Sequence, residues 1–337
     1  MNRRQLTLLG MRTFAVVSLC GGAWTQSGTP ETILEIETDK VVNYGNDVPD
    51  YSKLATDPNM TNGAAARNFN VLLMLGDIVA VNGRPAKGTW IQRGQGVNSA
   101  TAPRPGQAVA DIGRLRVAEM IFEIQQTDGT PIGTIFAIGL GGGAPPPGAP
   151  SAATASNFAI IGGTGAFLGV RGQLGSPPAP VAARQASVTE DPANRRVHGG
   201  GNGRHVLHLI HPQRPEIMTL ASGPAVAHSS DFSPVTVARP ARSGEILSLI
   251  ATSLGPTRPG VDPGQPFPAS PLQPTSSPIE ITVNGAPVEV LYAGGYPGAV
   301  DVYQVNFRMP AVTGAGQARI RVTAAWISGP EVSIAVQ

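Results

Sequence analysis

The sequence predicts an all-β protein in which a small antiparallel β-barrel is followed by a two-sheet β-sandwich. Three observations predict this fold class. The 42 Gly and 32 Pro residues disfavour long helices, short apolar segments alternate with polar residues, and a length of 337 residues suggests two domains. Inside a helix Gly costs about 1 kcal/mol and Pro about 3 kcal/mol relative to Ala, whereas short strands joined by turns accommodate both.

The charge of the chain is low and evenly spread. Charged residues make up 14% of the sequence, against a typical value of about 25%, and the formal net charge is +2. Lys and Arg do not gather into runs that would neutralise a row of phosphates. The one basic cluster, Arg195, Arg196, His198 and Arg204, lies in a Gly-rich segment that we interpret as a solvated turn. The composition therefore predicts no nucleic-acid partner.

The N-terminus has the residue order of a secretory signal peptide. Three arginines precede an apolar run at residues 13–20, and small residues follow at 21–23. We expect cleavage between Ala23 and Ser27, and we assign residues 1–26 to the signal. The apolar run is too short to span a bilayer and no later run is long enough, so the sequence predicts an exported protein without a transmembrane segment.

The only cysteine, Cys20, lies within the predicted signal. Cleavage would remove it, so the mature chain is predicted to form no internal disulfide. Residues 17–20 also resemble a lipobox, and lipid attachment at Cys20 stays open as an alternative, although Leu19 stands where that motif has Gly or Ala. We expect the protein to be secreted into the extracellular space or held in the cell envelope, with a partner in that compartment.

Between residues 31 and 230, candidate strands alternate with Gly-containing turns, which predicts the barrel. Met120, Phe122 and Ile124 alternate with more polar positions, the period of a strand with one buried face. The pairs at 82–83 (Asn-Gly) and 128–129 (Asp-Gly) provide hairpin turns, and Asp-Gly favours a type I′ turn. The predicted strands are 33–37, 70–81, 116–124, 134–140 and 204–210.

Two Gly- and Pro-rich segments interrupt this pattern, at residues 141–150 and 175–180. Proline has no backbone N–H to donate to a sheet. We therefore predict that both segments form loops inserted into the barrel module.

A glycine-rich segment at residues 157–172 carries a family resemblance. It reads Asn-Phe-Ala-Ile-Ile-Gly-Gly-Thr-Gly-Ala-Phe-Leu-Gly-Val-Arg-Gly. The glycine spacing alone also suggests a dinucleotide-binding loop, but no amphipathic helix follows it and no βαβ unit surrounds it. The segment resembles the signature of the allene oxide cyclase and dirigent barrel superfamily. The resemblance covers residues 70–217 and implies a barrel that turns sharply at these glycines and holds a small hydrophobic molecule in its lumen.

The second module begins near Asp231 and is assigned residues 235–337. Its clearest hairpin has alternating strands on both sides of Asn284-Gly285. Strands of this length and one-sided polarity, in a module of about 100 residues, favour an immunoglobulin-like β-sandwich. The predicted strands are 245–253, 279–283, 288–292, 302–309, 318–324 and 332–336.

This half resembles the C-terminal domain that recurs in exported proteins of the acidobacterium Solibacter and its relatives. The matching segments are Ser-Gly-Glu-Ile-Leu-Ser-Leu at 243–249, Leu-Gly-Pro at 254–256, Val-Asn-Gly at 283–285, Leu-Tyr-Ala-Gly at 291–294 and Tyr-Gln-Val-Asn-Phe-Arg-Met-Pro at 303–310. That family has no assigned activity. The resemblance therefore implies an architecture and an exported location, and no chemistry.

Four histidines, His198, His205, His208 and His211, form the densest candidate metal site. Six positions separate His205 from His211, which places both on one face of a strand and His208 on the other. No cysteine remains after cleavage and no nearby carboxylate completes a familiar spacing. The sequence therefore predicts neither a metal site nor a cofactor.

No catalytic constellation is evident in the sequence. The chain lacks Gly-x-Ser-x-Gly, and His228-Ser229-Ser230-Asp231 places three triad residue types side by side in a predicted linker. Adjacent residues of a linker cannot assemble a spatial triad. We therefore predict no catalytic residue.

Four residues are candidates for binding a ligand if the chain shares the behaviour of the barrels it resembles: Glu119, Glu123, Arg171 and His205. At 3.3 Å per residue the two glutamates lie about 13 Å apart, beyond the roughly 5–9.5 Å of paired glycosidase carboxylates. The alternative is that both glutamates face solvent and that Arg171 braces the turn.

These observations favour an exported, non-catalytic protein with a binding or cell-surface interaction role, whose barrel holds a small apolar ligand. The alternative is a barrel enzyme or stereochemical chaperone, such as a cyclase, that acts on an apolar small molecule. Carbohydrate binding is a third hypothesis. For it only Trp90 and Trp326 remain as stacking platforms once Trp24 leaves with the signal.

Overall fold

The computed structural model describes residues 31–45, 69–97, 115–141, 156–187, 190–311 and 314–337. These ranges contain strands and one short 3₁₀ helix, so the all-β prediction is confirmed. The predicted signal peptide, Cys20, Trp24 and nearly all of the Gly- and Pro-rich segment 141–150 lie outside the described residues. The strands of the first module are β1 (Glu31–Gly45), β2 (Phe69–Val81), β3 (Arg84–Pro85), β4 (Lys87–Val97), β5 (Leu115–Gln125), β6 (Pro131–Gly141), β7 (Ser156–Gly165), β8 (Arg171–Gly175), β9 (Arg184–Ser187) and β10 (Gly201–Ile210).

Eight of these strands close into an antiparallel barrel. Their order is β1-β2-β4-β5-β6-β7-β8-β10, and β1 completes the ring by pairing with both β10 and β2. Ile36 therefore lies opposite His205 on one side and Val81 on the other. The register of β1 shifts between Thr38 and Val41, where Lys40 has a φ of +53°. Closure leaves the barrel strands without the exposed edge that makes open sheets prone to aggregate.

Large apolar side chains fill the half of the lumen nearest the second module. Leu34, Ile124, Ile132, Phe167 and Leu209 are all fully buried there and belong to one cluster. The alternation predicted for β5 is confirmed, because its inward positions are buried and its outward positions are not. Protein interiors packed in this way contain few voids, so this half of the lumen has no room for a ligand.

The glycine-rich motif lies mainly within β7, ahead of the turn. The turn itself is Ala166–Gly169, so Gly162 and Gly163 lie in the strand ahead of it, whereas Gly165 just before the turn and Gly169 at its end have positive φ. A Cβ on Gly163 would lie 2.8 Å from both the Thr134 carbonyl oxygen and the Phe167 Cβ. Glycine is therefore needed there for close packing, whereas Gly165, with a φ of +61°, meets a conformational need.

The predicted hairpin turns differ in type. The Asn-Gly turns at 82–83 and 284–285 are confirmed, with positive φ at both residues of each pair. The type I′ turn predicted at 128–129 is wrong, because only Gly129 has a positive φ, of +90°. The Gly129 N–H donates to the Gln126 carbonyl at 2.9 Å, so a type I turn is followed by a glycine in the left-handed region.

The second module contains two larger sheets and one two-stranded sheet. One sheet holds β11, β14, β15, β19 and β18, the other has the order β17-β16-β20-β21, and β12 pairs with β13. The strands are β11 (Glu216–Ile217), β12 (Thr219–Leu220), β13 (Gly223–Pro224), β14 (Val226–His228), β15 (Ile246–Thr252), β16 (Ile279–Val283), β17 (Ala286–Val288), β18 (Val290–Gly295), β19 (Val302–Arg308), β20 (Gly316–Ala324) and β21 (Ile327–Val336).

The two larger sheets share one apolar core. Leu249 and Phe307 from one sheet lie in the same buried cluster as Ile281 and Val322 from the other, an arrangement compatible with the predicted immunoglobulin-like sandwich. The predicted strand 288–292 is divided. Its first part stays with β16, and after Glu289 the chain crosses to pair with β19 in the other sheet.

The chain passes from the barrel core to the core of the second module earlier than residue 230, where the boundary was predicted. The barrel ends at Ile210, and β11 and β14 both pair with β15 of the second module. Ile217 and Val226 accordingly lie in the second core.

The hairpin between β20 and β21 joins the two modules. Its tip, Ala325 to Ile327, belongs to the barrel core: Ala325 and Ile327 are buried in that cluster and Trp326 packs against it. Polar contacts surround the tip. Gln126 Nε2 donates to the Ser276 carbonyl at 2.6 Å, and Arg258 donates to Thr130 Oγ1 at 3.1 Å. The second module therefore covers one end of the barrel.

The 3₁₀ helix, Pro192–Arg196, is held on the outside of the barrel by Asp77 of β2. The Asp77 carboxylate forms ion pairs with Arg195, whose side chain is 8% exposed, and with Arg196. In the part of the chain that the structure describes, no helix is long and apolar enough to cross a membrane.

Candidate functional site

The lumen changes character along its length. Toward the end away from the second module, several inward positions of β1, β4, β5 and β10 carry small or polar side chains in place of Leu, Ile and Phe. Register places these residues side by side, since Gly94 lies opposite Ala118 and Thr38 lies opposite Gly203. We call this region the polar end of the lumen; its residues are Thr38, Trp90, Gln92, Gly94, Ala118, Gly203 and His205.

His205 lies at the inner limit of the polar end. Its side chain is 4% exposed, and its Nδ1 lies 2.9 Å from Ser176 Oγ. The ring packs against Trp90 with centroids 4.7 Å apart and meets Phe122 edge-on at 5.2 Å. These contacts fix both the position and the orientation of the imidazole.

Three polar atoms at the polar end have no hydrogen-bond partner within the described structure: His205 Nε2, Trp90 Nε1 and Thr38 Oγ1. All three side chains are more than nine-tenths buried. Two of these atoms lie beside Gly203: a Cβ at this position would be 2.6 Å from Thr38 Oγ1 and 3.3 Å from His205 Nε2. An unsatisfied buried polar group costs about 1–3 kcal/mol. A ligand with a polar group at this point would recover that free energy.

His205 is suited to hydrogen bonding and poorly suited to proton transfer. Burial lowers the pKa of His205 to about 3, because surroundings of low polarity oppose the charged imidazolium. A general base works best when its pKa lies near the operating pH. The neutral ring instead offers one donor or acceptor at Nε2, depending on the tautomer that Ser176 stabilises.

The other predicted ligand residues do not join His205. Glu119 lies on the outer face of β5, where it pairs with Arg93 at 2.7 Å, and Glu123 is exposed on the same face. Arg171, also exposed, donates to the carbonyls of Ile161 and Val170 beside the turn after β7. The structure thus brings only one of the four residues into the lumen.

The four histidines do not converge on one point. His205 and His211 are buried, whereas His208 lies on the opposite face of β10. His198 is exposed, with its Nδ1 3.7 Å from the Glu190 carboxylate. No group of three or more His, Cys, Asp or Glu side chains within the described ranges is arranged to hold a metal ion.

The run at 228–231 has a structural arrangement that its sequence did not suggest. His228 ends β14 and is 2% exposed, with its Nδ1 2.6 Å from Glu245 Oε1. The Asp231 carboxylate accepts hydrogen bonds from Arg239 at 2.7 Å and from the Ser233 hydroxyl at 2.8 Å. The three residue types therefore have separate partners and form no triad.

A cleft of about 360 Å³ lies between the barrel and the second module. The tip of the β20–β21 hairpin, the end of β5 and the start of β16 line it. Trp326 contributes an aromatic ring, and Arg84 of β3 forms an ion pair with Glu280 of β16 beside it.

Sequence reasoning identified His205 and missed Thr38 and Gly203 as its neighbours. Trp90, considered as a surface platform for sugars, is 3% exposed and lies inside the barrel. The usable signal was the polar and small character of alternate positions in β4, at Gln92 and Gly94. This pattern indicates a binding site only once the pairing of β1 with β10 shows that Thr38 and Gly203 lie on the same lumen wall as His205.

Comparison with protein-family models, curated proteins and solved structures finds no match for this chain. The two family resemblances therefore stay predictions.

Proposed function

We propose that the protein is an exported, non-catalytic binding protein whose barrel holds one small uncharged molecule at the polar end of the lumen. The observation that carries this proposal is the group of three buried, unpartnered polar atoms around His205. Native proteins leave few buried polar groups unsatisfied. A few convergent polar groups in an apolar wall are typical of small-molecule pockets.

The hydrogen-bonding groups define the chemistry of the ligand. Trp90 Nε1 can only donate, so the ligand needs an acceptor oxygen, and Thr38 Oγ1 can donate or accept. A hydroxyl or a carbonyl group meets both requirements. Met120 and Phe122 supply apolar surface for the rest of the molecule.

The ligand is uncharged in this proposal because none of the described polar-end residues carries a charge that would balance an ion. Arg195 is the one buried Arg, Lys, Asp or Glu side chain among the described residues, and it lies outside the barrel, paired with Asp77; His205 is neutral. An unpaired ion in such surroundings is strongly unfavourable.

The order of charged, apolar and small residues at the N-terminus supports the export part of the proposal. The second module is proposed to act as an interaction module for a partner outside the cell or in the cell envelope. Its contact with the barrel through the β20–β21 hairpin supports a role in holding the barrel in a fixed position relative to that partner.

Native mass spectrometry of the exported protein tests the proposal. The Gly203→Ala variant is compared with the wild type, because this substitution should block the proposed site. The added methyl group would lie 2.6 Å from Thr38 Oγ1 and 3.3 Å from His205 Nε2, so it would push against the Thr38 hydroxyl and occupy the space beside both atoms where the ligand oxygen is proposed. Gly316→Ala is the matched control, because a Cβ there has no atom within 4 Å.

We expect the wild type and Gly316→Ala to carry an added mass of one small organic molecule that disappears on denaturation, and Gly203→Ala to lack it. A wild-type spectrum with the mass of the chain alone would contradict the proposal. An added mass that Gly203→Ala retains in full would also contradict it.

A further inference from the structure

We propose that the cleft between the two modules is a second binding site, which takes a neutral sugar of one or two rings with one ring face on Trp326. The cleft lies outside the barrel lumen and shares none of the polar-end residues. The inference is therefore independent of the proposed lumen ligand.

The size of the cleft suits a small ligand. Its volume of about 360 Å³ is near the lower end of the roughly 300–1,000 Å³ typical of small-molecule sites. Sites at the junction of two modules are a common location for such ligands. The lining residues are Asn82, Arg84, Pro85, Ala86, Gln125, Gln126, Thr127, Ile132, Pro278, Ile279, Glu280, Thr323, Trp326 and Ser328.

Trp326 provides the aromatic surface of the cleft. The backbone φ angles at Ala325 and Trp326 are +48° and +65°. In the turn at 284–285 of the same module, Asn and Gly adopt this conformation. A bulky residue is unfavourable in this left-handed region. Burial of Ala325 and Ile327 in the barrel core holds the turn in place, whereas the Trp326 side chain remains half-buried and lines the cleft.

The charges of the lining favour a neutral ligand. Among the described residues that line the cleft, only Arg84 and Glu280 are charged, and they form an ion pair with each other, so this lining has no net formal charge. A phosphate or carboxylate ligand would have to compete with Glu280 for the guanidinium. Hydroxyl groups, in contrast, can bond to both members of the pair without separating them.

The remaining polar groups match a ring of hydroxyls. Gln125 offers an amide whose Nε2 also donates to the Glu123 carboxylate at 3.0 Å, and the hydroxyls of Thr323 and Ser328 form a hydrogen bond of 3.2 Å on the neighbouring hairpin. Both donors and acceptors are thus present on more than one wall. A sugar combines a C–H face that packs on an indole with hydroxyls at its edge, and this combination fits an aromatic wall with a polar rim.

Calorimetric titration of the full chain as exported tests this site. The probes are glucose, galactose, mannose and N-acetylglucosamine, each as the monosaccharide and as its β-linked disaccharide. The variants are Trp326→Ala, which removes the platform, and Gln125→Leu, which removes an amide while keeping the size of the side chain. Tyr296→Ala is the matched control, because Tyr296 is an exposed aromatic residue of the second module outside the cleft lining.

We expect the wild type to bind at least one probe with a Kd below about 1 mM, and Trp326→Ala to weaken it by about tenfold or more. Gln125→Leu is expected to weaken binding as well, and it keeps the test valid if Trp326→Ala fails to fold. Tyr296→Ala and the lumen variant Gly203→Ala should bind as the wild type does. The site is refuted if no probe binds to the wild type, or if binding persists unchanged in both cleft variants.

Discussion

The indole of Trp90 lies against the imidazole of His205 inside the barrel, with their ring centroids 4.7 Å apart and their planes tilted by 37°. The two side chains come from β4 and β10, which are separated in the ring by β2 and β1. They therefore meet across the lumen and not along one sheet. Together they divide the packed half of the barrel from the polar end.

The buried state of His205 predicts a specific loss of stability in acid. The pKa of His205 is about 3 in the folded protein, because burial opposes its charged form, and about 6.5 in the unfolded chain. Between these values the unfolded chain binds a proton that the folded protein does not. The free energy of unfolding should therefore fall as the pH drops below about 6.5, by at most about 1.4 kcal/mol per unit for this residue.

Urea unfolding between about pH 7 and pH 4 measures this dependence. His205→Gln should be less stable near neutral pH and should lose less stability on acidification than the wild type. His211, whose pKa burial and Arg214 lower to about 4, leaves a residual slope. His198→Gln is the control at an exposed histidine and should follow the wild type. An unchanged slope in His205→Gln would show that the ring is not excluded from protonation.

The close packing at Gly163 predicts a steric effect of a single methyl group. Gly163→Ala would place Cβ 2.8 Å from the Thr134 carbonyl oxygen and 2.8 Å from Phe167 Cβ. Because part of this crowding involves backbone, we expect the free energy of unfolding to fall by about 1–3 kcal/mol. Gly316→Ala, also in a strand but in open space, should be neutral or slightly stabilising. Equal effects of the two substitutions in denaturant unfolding would contradict this interpretation of the motif.

The ion pairs of Asp77 predict a large effect at the surface of the barrel. Burial opposes ionisation of Asp77, but hydrogen bonds and charges from Arg196 and Arg195 outweigh it and hold the pKa below its ordinary value. Asp77→Ala would leave the largely buried Arg195 without a carboxylate, and we expect a loss of about 3 kcal/mol. Asp39→Ala, which removes an exposed pair with Lys40, should cost less than about 1 kcal/mol. Denaturant unfolding of the two variants distinguishes these values, and similar losses would be incompatible with the burial of Arg195.

The hairpin tip predicts that a residue of the second module stabilises the barrel. Ile327 lies in the barrel core cluster, so Ile327→Ala should reduce stability by about 2–5 kcal/mol. Ile246→Ala, at a position 37% exposed, is the matched control and should cost much less. Differential scanning calorimetry should show the barrel transition moving to lower temperature in Ile327→Ala. Movement of the second module's transition alone would contradict the proposed contact.

The strands that the sequence predicted well are those in which one face meets an apolar core. In β5 and β19 the alternation of apolar and polar residues follows the alternation of buried and exposed positions. β4 was not predicted, because its inward positions include Trp90, Gln92 and Gly94, which do not form an apolar stripe. The small and polar residues at the polar end of the lumen thus interrupt the alternation of apolar and polar residues by which strands are identified in a sequence.

The candidate site was harder to predict than the fold because it depends on distant pairing. Thr38 and Gly203 are adjacent only through the β1–β10 register, which spans most of the first module. The same holds for the cleft, where Trp326 from the second module meets the end of β5. Alternation along one strand gives the face on which a side chain lies and does not give its neighbours across the barrel.

Occupation of the polar end is tested most directly by the indole N–H signal of Trp90, since Nε1 of this residue is one of the unpartnered atoms. A ¹H–¹⁵N correlation spectrum of the protein as purified is compared with that of protein unfolded, extracted with organic solvent and refolded. Trp90→Phe and Trp326→Phe assign the indole signals of these two residues.

We expect the Trp90 signal to move between the two samples, because removal of the ligand removes the acceptor of its hydrogen bond, while the Trp326 signal stays in place. Two folded samples with the same Trp90 signal would contradict a ligand at the polar end of the lumen.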